Sequence, residues 1–401
     1  METSISPDRA LDLVLANVPS PVVESCSLSA ALARTLAQSV RADSDVPSFD
    51  RAMMDGFAVR AGDAGKLVRV VGEAAAGHGS SATVQPGTCI EIMTGAPCPA
   101  GCEAVVAVEQ TQREGDVVTL PAELRAGQHV QERGRICRQG AEVLAPGDRI
   151  TPLGVGVLAS FGLAQVQVFA RPRVGIVSTG DELVSDGTVL AHGQIRDSNG
   201  PMLAALAREC GVAEVVQTHC LDTEESLRET LQSLAHCGIV VLTGGVSMGR
   251  YDLVPRVVEG LGAEPVFHKV TQKPGKPLFF ARGPGRMLFG LPGNPRASHF
   301  CFVRYVASAV RAWGGSRPGP VSQRGVLSTS YESRGDRTDF VPMRADRGPL
   351  GGWVVTPFDE RGSADIINVG TANVYVRFEA GKLSLAAGSS VDFTWMTEEH
   401  G

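Results

Sequence analysis

From residue 171 onward, short apolar runs alternate with stretches whose apolar positions recur every three or four residues, the pattern of strands followed by helices. RVGIVSTG reads as a strand, and Ser198 opens a helix with Met202, Leu203 and Leu206 on one face, stopping near Gly211. VAEVVQTHCL reads as the next strand, and residues 222–236 as a helix begun by a capping box of Asp222 and Glu225. GIVVLTGG, PVFHKVT, PLFFAR and MLFGLP supply further strands, with helices over 252–260 and 296–313. Such alternation predicts a mostly parallel sheet covered by helices, with ligands beyond the carboxyl ends of the strands.

The period differs on either side. Ser6 and Pro7 form a good helix start, and Leu11, Val14 and Leu15 make its apolar stripe. A second helix is expected over 28–33. Between residues 46 and 140, KLVRVVGEAAAGHG, TCIEIMTG, AVVAVEQT and DVVTL are short β-type runs separated by glycine and proline, a small all-β segment. Thr151 and Pro152 cap a helix to about Ser160, and QVQVFA follows as a strand, so the β-rich part reads as an insert. Past a linker-like stretch at 313–325, VLSTSYES, TDFVPM, GGWVVTPF, NVYVRFEAG and SVDFTWM predict a second all-β unit, with Val374, Val376 and Phe378 on one face.

A chain of 401 residues needs several cores. Its 43% hydrophobic residues and net charge of -6 describe a soluble globular protein without the basic footprint of a nucleic-acid binder. No run reaches the length of a spanning helix and no signal peptide is apparent, so no membrane association is expected and a cytoplasmic location is the default. Nine scattered cysteines without a CxxC pair read as reduced thiols; the closest two are Cys98 and Cys102, around a turn-like PAG.

Against that acidic background, three loops stand out. GIVVLTGGVSMGRYD ends an apolar run at Thr243, Gly244 and Gly245; HKVTQKPGKP carries Lys269, Lys273 and Lys276 on a chain stiffened by Pro274 and Pro277; LFGLPGNPRASHFCF runs a strand through a turn bracketed by Pro292 and Pro295 into a helix after Asn294. Glycine admits backbone amides to a ligand, lysine adds charge and a helix start adds unpaired N–H groups, so a phosphorylated ligand is the working reading. The helix start alone contributes only about 0.3–1 kcal/mol when exposed, so lysines and a metal must act with it. Acidic residues mark the same turns: Asp181 and Glu182 in STGDE, Asp197 in DSN and Asp252, with Asp55 upstream in MMDG. Carboxylates beside phosphate loops suit Mg²⁺, and adjacent Asp181 and Glu182 would repel one another without a cation. Asp222 reads more simply as a helix cap, and Asp197 equally as turn chemistry. The histidines lack metal spacing, and Ser247 has no evident base beside it, which disfavours a serine hydrolase.

The ordered motifs DVPSFDRAMMDGFAVR, IMTGAPCPAGCEAVVAVEQT, VGIVSTGDELV, TGGVSMGRYD, QKPGKP and GLPGNP resemble those of the molybdopterin molybdenumtransferase, or MoeA, family, which includes the E domain of gephyrin. The resemblance spans essentially the whole chain. It implies an elongated homodimer of four domains: a helical and extended domain over 1–45 and 141–170, an inserted β domain over 46–140, a molybdopterin-binding α/β domain over 171–318 and a C-terminal β-barrel-like domain over 319–401. It implies adenylylated molybdopterin and molybdate as substrates and Mg²⁺ as cofactor, AMP release, a cleft shared between subunits, and a molybdopterin adenylyltransferase as partner. Carried over by motif, Asp55, Thr94, Glu182, Asp252 and Asp222 match positions of activity, with Glu182 and Asp252 on the metal. Gly244, Gly245, Ser247, Lys269, Lys273, Lys276, Pro292, Asn294, Pro295 and Ser363 match the pterin and oxyanion side. Two positions depart from the family. A common GEDI is here Gly134, Arg135, Ile136 and Cys137, and a common EFLR is Asp339, Phe340, Val341 and Pro342, leaving Arg344 as the nearest arginine. Molybdopterin adenylyltransferase, whose α/β domain is related, and a catalytically reduced cofactor-binding scaffold are the alternatives.

Overall fold

The computed structural model describes residues 1–184, 187, 189–245, 253–316, 319–349, 351–359 and 361–397. Two compact units emerge: Met1–Ala37 with Gly147–Ile150 and Gln165–Gly401, and Gln38–Pro146 with Thr151–Ala164.

The first unit is built on a seven-stranded sheet in the order Glu2–Ile5, Glu264–Val270, Phe279–Gly283, Arg286–Leu291, Ile239–Thr243, Arg173–Thr179, Glu214–Cys220. Every neighbouring pair is parallel except those made by Phe279–Gly283, which runs against both its neighbours. That exception follows from the tight turn at Pro284 and Gly285, since only antiparallel strands can be joined so briefly. All other strands therefore present their carboxyl ends at one edge. The sheet is covered on both faces, so Ile239–Thr243 is buried at every position, and alternate residues feed opposite cores. Ile176, Val241 and Phe289 pack with Leu203 and Phe300 on one side; Val177, Val240 and Leu242 pack with Leu227 and Val257 on the other. The edge strand Glu2–Ile5, too polar to read from its sequence, is recruited by pairing with Glu264–Val270.

Several local expectations meet stronger competitors. The helix expected over 28–33 is one 3₁₀ turn, Leu28–Ala30, because the chain then turns through a positive φ at Ala33 so that Thr35 and Leu36 can bridge to Arg149 and Val168. The helix expected over 222–236 is Glu224–Ser233, and its cap is Thr223, whose Oγ1 accepts from the Ser226 amide at 3.2 Å. Asp222 is thus not the cap. The expected 296–313 helix is Pro295–Cys301 and Ala307–Trp313 with a π turn at Phe302–Val306 between them. The first helix, Pro7–Ala16, starts as predicted, with Ser6 Oγ accepting from Arg9 N at 3.2 Å.

At the carboxyl end of the same unit, Thr338–Arg347, Trp353–Pro357, Ser322–Leu327, Ser390–Trp395 and Val374–Phe378 pair in turn, and the last returns to the first, closing a five-stranded barrel. Val374, Val376 and Phe378 share its interior with Val341, Met343 and Phe393. The second unit holds a six-stranded sheet in the order Ala104–Ala107, Gly56–Val59, Thr88–Ile92, Leu67–Ala74, Val117–Thr119, Gln112–Glu114, built from the β-type runs noted above. It also holds the helix Pro152–Ser160, whose cap Thr151 accepts from Gly154 N at 3.1 Å.

Candidate active site

At the carboxyl edge of the parallel strands lies a cavity of about 670 Å³, lined among others by Thr179, Glu182, Asp222, Thr243, Gly244, Gly245, Pro277, Pro292, Asn294, Pro295 and Ala364. Loops far apart in sequence meet there because their strands are parallel neighbours. The close approach of the two central loops demands glycine. A Cβ on Gly244, which has φ +96°, would stand 2.6 Å from Thr179 Oγ1 and 2.8 Å from its carbonyl oxygen.

One side chain ties these loops together, and sequence reasoning missed it. Asn199 Nδ2 donates to Thr243 Oγ1 at 2.8 Å and to the Gly293 carbonyl at 2.7 Å, fastening the start of the Asn199–Glu209 helix to both glycine loops. Its Oδ1 is buried without a hydrogen-bond partner. Nothing in the sequence separates this amide from an ordinary turn residue beyond its place in DSN. Its neighbour Asp197 is structural: Oδ1 accepts from Gly200 N at 2.9 Å and Oδ2 from Ser178 Oγ at 2.5 Å.

Glu182 and Asp222 line the acidic side, with Asp181 beside them. The Asp222 amide donates to Asp181 Oδ1 at 3.2 Å, drawing together the ends of two neighbouring strands. Partial burial, then the negative charges of Asp181 and Glu182, push the Asp222 carboxyl above the usual range. Among the described residues, no three acidic, histidine or cysteine side chains converge as a complete metal cage. Asp252 and Ser247 lie outside the described residues.

The opposite wall belongs to the GLPGNP turn and to a barrel loop. Asn294 Nδ2 donates to Ser363 Oγ at 2.8 Å, and Arg296 Nη1 to the Gly362 carbonyl at 3.2 Å. Asp365 shapes that loop by accepting from the amides of Arg361 and Asn368, which hold its carboxyl down at about 2. The lysine loop contributes Pro277 to the wall. Its lysines are differently placed: Lys273 pairs at 3.2 Å with buried Asp339, Lys276 is exposed, and Lys269 is half-buried with φ +70°. His268 is buried edge-on against Phe279.

Asp55 and Thr94 stand together in the second unit. Asp55 Oδ1 accepts from the Thr94 amide at 2.6 Å and from its hydroxyl at 2.7 Å, and these bonds hold the carboxyl below its ordinary range. The GEDI-equivalent stretch is pinned through its main chain, Ile136 and Cys137 both donating to the Val46 carbonyl. In the EFLR-equivalent strand, Asp339 accepts from Lys273, Phe340 packs on Phe300 with ring centroids 4.5 Å apart, and Arg344 is engaged by Asp346 at 3.0 Å.

Against known proteins, residues 5–162 match the MoeA N-terminal region (domain I and II), 175–312 a probable molybdopterin binding domain, and 324–395 the MoeA C-terminal region (domain IV). A molybdopterin molybdenumtransferase of Bacillus subtilis is 31% identical over 414 residues, covering 100% of this chain and 96% of that protein. The chain belongs to the molybdopterin molybdenumtransferase family. A Staphylococcus aureus member is 32% identical over 375 residues, covering 91% of this chain and 89% of that one. The solved molybdopterin biosynthesis moeA protein from Pyrococcus horikoshii OT3 superposes with a TM-score of 0.82 at 27% identity, covering 98% of this chain and 100% of that one. The α/β sheet with its barrel is thus the MoeA architecture, as the ordered motifs imply, and no described helix is long and apolar enough to cross a membrane.

Proposed function

We propose that the cavity at the carboxyl edge of the parallel strands is where this molybdenumtransferase works, taking adenylylated molybdopterin and molybdate, hydrolysing the adenylyl phosphoanhydride to release AMP, and leaving molybdenum on the pterin dithiolene. Molybdenum insertion in cofactor biosynthesis is the activity of the family. The observation that carries the proposal is that Glu182 and Asp222 share one cavity with the glycine loop of Gly244 and Gly245 and the GLPGNP turn.

Glu182 and Asp222 on one cavity, with Asp181 beside them, fit a hard divalent cation, which needs only one or two carboxylates and completes its shell with phosphate oxygens and water. Glu182 and Asp222 would hold Mg²⁺ together with Asp252, assigned from its motif; the ion would offset phosphoanhydride charge as water attacks phosphorus. The residues of the chain do the rest. Gly244 and Gly245 admit the pterin phosphate to the main chain, and Asn199 holds their loop against the GLPGNP turn. Ser363, positioned by Asn294, and Lys276 at the neighbouring rim would bind molybdate, while Lys273 divides its charge between this edge and Asp339. A cytoplasmic homodimer is the form in which Asp55 and Thr94 would act, and an adenylyltransferase would supply the activated pterin.

Incubation of the purified protein with adenylylated molybdopterin, molybdate and Mg²⁺ tests the reading. AMP and molybdenum-bearing pterin should appear together, with neither formed in chelator. Tight pterin binding without AMP release would overturn it.

A further inference from the structure

A second cavity in the same unit, of about 270 Å³, shares no residue with the first, and Arg34, Arg149, Arg171 and Arg311 face it with Glu209 as the lining carboxylate. Four guanidinium groups face one lining carboxylate, and Arg311 Nη2 also donates to Ser308 Oγ at 3.1 Å. Arg171 Nη2 donates to the Ala33 carbonyl at 2.7 Å, and Arg171 makes no ion pair among the described residues. Arg34, with an 11% exposed side chain, bonds through Nη2 to Glu24 and to the Phe169 carbonyl, while its Nε is buried without a partner. Burial first, and then the charges of Arg34 and Arg149, press the Arg171 guanidinium below its ordinary range, so these like charges crowd one another. Thr35 and Ser316 add hydroxyls to the wall, sharing a 2.8 Å bond.

We propose that this cavity binds a small phosphate-class polyanion, free or as the end of a nucleotide, through Arg34, Arg149 and Arg171. Guanidinium groups meet tetrahedral oxyanions with paired N–H donors, and such bonds are among the stronger ones a surface cavity can make. The volume suits phosphate, pyrophosphate or one nucleotide phosphate. Rigid backbone anchors hold Arg34 and Arg171 in advance, so little ordering remains for the ligand to impose.

Calorimetric titration of the full-length protein with phosphate, pyrophosphate and AMP decides the matter. Besides any binding at the catalytic cavity, one saturable site per chain is expected that is weakened about tenfold or more by Arg171→Gln and by Arg149→Gln, the second an exposed position. Lys276→Ala should leave this affinity unchanged. AMP binding more tightly than phosphate would assign the nucleotide as source, and equal affinities would assign the free anion; both support the site. Absence of saturable binding up to roughly 10 mM, or binding lost in Lys276→Ala and untouched in the arginine variants, would overturn it.

Discussion

Asp222 and Asp55 are both solvent-facing aspartates on polar turns, yet their surroundings drive them in opposite directions. Asp222 sits near two other carboxylates, which together with partial burial raise its pKa; Asp55 accepts two hydrogen bonds from Thr94, which lower it. At the first site burial and neighbouring negative charge outweigh the influence of His219. The second is already satisfied by its own chain. An acidic residue in a motif therefore says little until its neighbours are known, and the same letter can mark a cation seat or a pre-ordered anion.

The sharpest way to break this contrast is to remove the acidic wall. Glu182→Gln should lower AMP release by roughly 100-fold or more, with folding unchanged, because the cation's contribution is several kcal/mol; a variant turning over at the parental rate would move the chemistry away from this wall. Next in size, Gly244→Ala should cost about 1–3 kcal/mol in denaturant unfolding, since the added carbon meets the Thr179 carbonyl at a positive φ. Thr223→Ala should cost about 1 kcal/mol by loss of the helix cap while AMP release stays intact.

The smallest effects test the signs. A carboxyl whose folded pKa is raised gives stability that is present in full below the unfolded value and declines as pH rises through the folded one. Metal-free Asp222→Asn should therefore be slightly more stable than the parent at pH 7, by less than about 1 kcal/mol given solvent screening, and should lose the thermal shift that Mg²⁺ gives the parent. For Asp55 the sign reverses: its contribution is present above the unfolded pKa and lost as pH falls through the depressed folded one. Thr94→Val should move that titration upward toward the ordinary carboxylate range, as carbon-detected NMR of the side chain would report.

Much of this architecture was legible because it rests on local rules. Strand and helix alternation after residue 171 announced the parallel sheet, Ser6 and Thr151 announced their helices, and period-two alternation in NVYVRF announced the barrel interior. Misreadings came where a distant partner outweighed a local preference. The helix expected over 28–33 gave way to a turn that lets Thr35 and Leu36 bridge Arg149 and Val168, and Asp222 had a capping pattern that Thr223, one residue closer to the helix, took over. Asn199 and the Lys273–Asp339 pair were invisible because their partners lie 44 to 94 and 66 residues away.

Period, turn chemistry and motif order, all short-range properties, were enough for most element types and for the family. Which acids crowd one another, which lysine is already occupied, and that four arginines from distant segments share one cavity were decided only by folding. Charges act through space rather than along the chain, so their mutual effects come into being when parallel strands bring separate loops to the same edge.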